Sequence, residues 1–109
     1  MNLFPQLLAA AMRLTKTRAE IDATLLHSAL LDQRIIAEAA MLAGADRHVD
    51  GDHALRGAAY AGNEALTKLL LRHYHLPEDR DVLLDIRRKA EYFEHPKIDQ
   101  ILQRTLAPH

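Results

Sequence analysis

The stretch DGDHALRGAAYAGNEALTKLLLRH, running from Asp50 to His73, decides how the rest of the chain is read. It holds two helical patterns of unequal length divided by one glycine. Asp50-Gly51 is a turn pair, and Asp52 stands where it can cap a short helix over about His53 to Ala61. Gly62 then supplies the left-handed conformation that stops this helix, since it has no Cβ to clash. Asn63 caps the next, longer helix, in which Leu66, Leu69 and Leu70 share one face on the way to about His73.

The same alternation extends both ways. Toward the N-terminus, Gly44 closes a helix carrying Ile35, Ile36, Ala39, Ala40 and Leu42. Asp32 and Gln33 separate it from an earlier helix whose Thr17 and Glu20 have capping-box spacing and whose Ile21, Leu25, Ala29 and Leu30 keep helical register. Before that, Leu3, Phe4, Leu7, Leu8, Ala11 and Met12 predict an amphipathic first helix, with Pro5 near its start, where a missing amide is harmless. Toward the C-terminus, Leu76-Pro77 breaks the pattern and Asp81 is placed to cap a helix through Ile86, Ala90 and Phe93. Pro96 opens a last helix with Ile98, Ile101, Leu102 and Leu106, and the tail beyond it is expected to fray. Ile36, Leu66 and Ile98 occupy matching positions 30 and 32 residues apart. A period of this size predicts a solenoid, because one helix pair cannot bury its apolar face alone and stacks on the next.

The segment from Asp50 to His73 resembles an ankyrin repeat: a turn, a short helix with paired alanines at Ala58 and Ala59, the Gly62 turn, and a longer Leu-rich helix. Gly44, Ala45 and Asp46 match the Gly-Ala-Asp that closes a preceding repeat of that family. The family's Thr-Pro-Leu-His stretch stands here as His53-Ala54-Leu55-Arg56, and the loop from Gly44 to His53 is short for a full hairpin finger. The resemblance implies an all-α fold: a short ankyrin-like solenoid of about three helix-turn-helix repeats (17–46, 47–77 and 78–107) in a single domain, with an extra N-terminal capping helix over 1–16. It further implies a non-catalytic protein that grips a partner protein with its loop tips and concave helix face. On this sequence those positions are Arg47, His48, Asp50, Asp52, His53, Arg56 and Tyr60, joined by Glu78, Asp79, Arg80, Arg88 and Tyr92 from the next unit.

Composition favours a helical protein. Of 109 residues 49% are apolar but only 5% aromatic, so Leu, Ala and Ile must build the core, while Gly 4 and Pro 4 are too few for the turns of an all-β fold. Lys and Arg number 14 against 15 Asp and Glu, for a net charge of -1. A balance so near neutrality disfavours nucleic acid as a partner. Cysteine is absent, which removes disulfides, thiol nucleophiles and thiolate metal sites. With no basic leader and no apolar run of membrane-spanning length, the reading is of a cytoplasmic protein that needs no membrane and no cofactor.

Several clusters of chemistry-bearing residues stand out, and each has an ordinary structural explanation. His48, Asp50, Asp52 and His53 share a polar loop and His73 and His75 are alternate residues, but neither spacing is a recognised zinc pattern. Arg88 and His95 have a separation found in some helical ribonucleases, yet Pro96 sets the pair across a turn. Arg87-Arg88-Lys89 reads as a solvated helix face diluted by Glu91 and Glu94. Tyr60, Tyr74 and Tyr92 are either interface anchors or core residues. The alternative to the protein-binding module is a compact helical regulator that binds nucleic acid, or an obligate homodimer hiding apolar surface.

Overall fold

Local signals start several of the helices, and the computed structural model, which describes residues 3–107, shows where each one acts. Pro5 opens α1 (Phe4–Thr15) from its first turn. Thr17 caps α2 (Arg18–Leu30) with both bonds of the capping box: Glu20 N donates to Thr17 Oγ1 at 3.2 Å, and Thr17 N donates to Glu20 Oε1 at 2.9 Å. The chain continues through α3 (Arg34–Leu42), α4 (Val49–Tyr60), α5 (Glu64–Leu71) and α6 (Arg80–Ala90) to a 3-10 turn (Glu91–Phe93) and α7 (Pro96–Leu106). No strand occurs among the described residues, so the all-α class holds. The expected fraying falls partly on residues 108 and 109, and the start of the 1–16 helix on residues 1 and 2, all four of which lie outside the described residues.

Contacts divide the chain into two compact units between Ala54 and Leu55. In the first, α3 packs against both α1 and α2. Ala37, Ala39 and Ala40 in α3 are fully buried, and their short side chains let two helices approach one element. In the second unit α5 and α6 both pack on α7 around Leu66, Leu70, Leu83, Ile86, Ile98 and Leu102, each at most 1% exposed. Burying a Leu or Ile side chain in this way contributes about 1.5–3 kcal/mol.

One turn geometry recurs. Asp32 (φ 55°), Gly62 (φ 74°) and Glu94 (φ 55°) are left-handed residues that end α2, α4 and the 3-10 turn, and in each case the next helix starts two residues later. After the first two, the following amide reaches back into the helix: Gln33 N to Ser28 O at 2.7 Å and Asn63 N to Ala58 O at 2.9 Å. Gly62 has a second constraint, since a Cβ built there would lie 2.8 Å from the imidazole of His95. Asn63 caps α5 as expected, its side chain accepting from Leu66 N at 3.1 Å.

Several expectations need correction. Asp81 does not cap α6; it sits in the first turn, and Asp79 occupies the cap position, its carboxylate accepting from His75 N at 2.6 Å. The helix after Gly51 does not begin cleanly at Asp52. Asp50, Gly51 and Asp52 all have positive φ (54°, 66° and 63°) and form a left-handed turn inside α4, ahead of its regular part. Of the three matching positions, Leu66 and Ile98 are buried but Ile36 is 36% exposed, because Ala37 takes the core position in α3. The face assigned to α1 is also largely the wrong one: Leu3, Phe4, Leu7 and Ala11 are exposed, whereas Pro5, Ala9 and Met12 are buried.

Candidate functional site

The twelve residues expected to contact a partner fall on both units, and each group is described by itself. In the first unit Asp46 anchors the loop: its amide donates to Asp22 Oδ1 (2.8 Å) and its own Oδ1 accepts from His48 N (2.9 Å). Arg47 and His48 are half-buried, and His48 Nδ1 donates to Asp52 Oδ1 at 2.6 Å. Asp52 is buried, and Asp50 and His53 are exposed. The left-handed backbone turns Asp52 inward and leaves its neighbours in solvent.

In the second unit, the structure brings Arg56, Tyr60, Arg88 and Tyr92 to a common neighbourhood. Arg56 and Tyr60 lie one turn apart on α4, and Arg56 Nη1 donates to both Tyr60 Oη (3.0 Å) and Asp85 Oδ2 (2.7 Å). Asp85 also receives Lys89 Nζ at 3.1 Å. Asp85, Arg88, Lys89 and Tyr92 follow at spacings of three and four, which puts them along one side of α6 and the turn that continues it. Tyr60 stacks on Phe93 with ring centroids 5.1 Å apart. His95 closes the back of this group, its Nε2 donating to the Tyr60 carbonyl at 3.0 Å while its ring covers Gly62. Tyr92 projects outward, 85% exposed.

The electrostatics follow from these bonds. The hydrogen bond from Arg56, reinforced by that from Lys89, holds the Asp85 carboxyl below its ordinary value. Burial opposes the charge on Arg56, but the bonds to Asp85 and Tyr60 outweigh it and raise a pKa that is already high. Arg87 is bound to Asp99 at 2.8 Å, which ties α6 to α7 and leaves Arg88 and Lys89 on the exposed side. A shallow cleft lined by Leu84, Arg87, Arg88 and Glu91 runs beside them.

Glu78 on the α5–α6 loop and Arg80 at the first position of α6 are exposed, while Asp79 is 3% exposed and bonds the backbone of that loop. Sequence reasoning missed Asp85, Lys89 and Phe93. The Asp85–Lys89 pair had a visible signal in its spacing of four; the Phe93 stack had none, since Tyr60 is far away in sequence. The three tyrosines separate clearly: Tyr74 is core, Tyr60 is braced and half-buried, Tyr92 is open. Among the described residues no three His, Asp or Glu side chains converge as a metal site. No described helix is long and apolar enough to cross a membrane.

Comparison of the chain with protein-family models, with curated proteins and with solved structures finds no match in any of the three.

Proposed function

We propose that the chain is a non-catalytic protein-binding module of the cytoplasm whose contact surface is the aromatic and basic face of the second unit. In this reading its helix pairs stack as a short ankyrin-like solenoid. The observation that carries the proposal is Tyr92, almost fully exposed and standing beside a Tyr60–Phe93 stack that is itself held by Arg56 and His95. Tyrosine and arginine are the side chains that most often dominate protein interfaces, and a preorganised aromatic contact loses little entropy on binding. Arg88 and Lys89 beside Tyr92 favour a partner surface that offers carboxylates around an apolar notch.

Arg56 and Tyr60 brace the face, so substituting them would confuse folding with binding. Arg88 and Tyr92 are both exposed and suit the test better. The full chain and a variant with Arg88→Glu and Tyr92→Ala are used as bait in parallel affinity captures read by mass spectrometry. The variant should lose the partners that the wild type retains while its far-ultraviolet circular dichroism is unchanged. Recovery of the same proteins by both baits would rule out this face.

A further inference from the structure

The first helix is apolar on two opposite sides. Pro5, Ala9 and Met12 form the side buried in the first unit, which is where a surface helix normally keeps its apolar residues. Leu3, Leu7 and Leu14 lie at spacings of four and seven on the opposite side, 56%, 67% and 87% exposed, with Ala10 and Ala11 between the last two. They make a stripe about 16 Å long at the helical rise per residue. The helix contains no acidic residue, and Arg13, its one charge, points away from the stripe to donate to Leu42 O at 3.0 Å. A surface helix ordinarily carries polar residues on the side away from its core; this one is apolar there.

We propose that the Leu3–Leu7–Leu14 stripe is a homodimer contact, occupied by the same stripe of a second copy lying antiparallel. The argument for a second copy is self-complementarity. About a twofold axis Leu3 meets Leu14 of the other copy, and Leu7 meets the small Ala10 and Ala11, so large side chains fill the gaps over small ones on both sides. No charge is buried, since none lies on the stripe. With neighbouring Phe4, the stripe offers roughly half of the 800 Å² per partner that a standard interface buries, so the association is a weak, concentration-dependent one. This inference uses the first unit alone and is independent of the partner face on the second.

Light scattering coupled to size exclusion, run on the full chain across micromolar concentrations, should show the mass rising from monomer toward dimer. Added salt should leave the association intact, because the contact is apolar and no charge lies on the stripe for salt to screen. A variant with Leu7→Glu and Leu14→Glu, both at exposed positions, should stay monomeric with unchanged helicity. Should that variant unfold, the chain's lack of cysteine offers a second readout. Under mild oxidation Leu3→Cys combined with Leu14→Cys should cross-link into dimers, while either change alone should not. The proposal fails if the wild type remains monomeric throughout, if the glutamate variant associates as the wild type does, or if single cysteines cross-link as well as the pair. It also fails if the wild type stays monomeric but sediments with anionic phospholipid vesicles, in which case a lipid surface covers the stripe.

Discussion

Gly62 shows how a single position can answer to two constraints at once. Its positive φ disfavours any side chain, and the His95 imidazole fills the space that a Cβ would enter. Gly62→Ala should therefore cost more than the ~1–2 kcal/mol of left-handed strain alone, lowering the denaturation midpoint in urea. Measured against His95→Ala alone, which already lacks the bond to the Tyr60 carbonyl, Gly62→Ala should cost only the strain. Asp85 carries a different signature. Its folded pKa lies below the ordinary 3.8, so its stabilising effect is complete above that value and is lost as the pH falls below it. Glu20 behaves in the same way below its ordinary 4.5, because its bonds to the Thr17 amide and hydroxyl favour the carboxylate. Asp85→Asn should lower the melting temperature at neutral pH but flatten its decline under acid, measured by circular dichroism across pH 3 to 6 in ~0.5-unit steps. The glycine was legible as a turn residue from its type. The imidazole over it was not, since nothing local links positions 33 residues apart.

At the scale of elements, three turns share a left-handed residue, yet only one of them is glycine. Asp tolerates this conformation better than Glu, so Glu94→Gly should stabilise the fold more than Asp32→Gly, by about 0.5–1 kcal/mol, and raise the melting temperature accordingly. In the opposite direction Thr17→Ala removes a side-chain cap and should cost about 1 kcal/mol by the same measurement. Thr17, Asn63, Gly62 and Pro96 act as local signals, so their helix boundaries could be read directly. The start of α6 could not, because Asp79 and Asp81 are equally good caps by type and only the loop bond to His75 decides between them. The sidedness of α1 was hidden for a related reason. Apolar periodicity identifies a face only when the other face is polar, and here both are apolar.

Across the whole chain, the all-helical class was legible while the distribution of apolar residues was not. A low aromatic content with abundant Leu and Ala pointed to helices, and the 30 and 32 residue spacing of matching positions returns in the turns at Asp32, Gly62 and Glu94. Which apolar side chains are buried depends on contacts between elements that no single segment contains; Leu30 at 77% exposed and Ser28 at 1% invert their intrinsic order. Charge acts at this scale too. With a net charge of -1 the chain should not retain duplex DNA in a gel shift at physiological salt, whatever the local effect of Arg87, Arg88 and Lys89. The distribution of tyrosines has an optical consequence. With no tryptophan, all intrinsic emission comes from three phenols, one in the interior, one beneath a phenylalanine ring and one in open solvent. Acrylamide quenching of the unlabelled protein should therefore report chiefly on Tyr92, and a ligand settling over that ring would shield it from the quencher without any dye being attached.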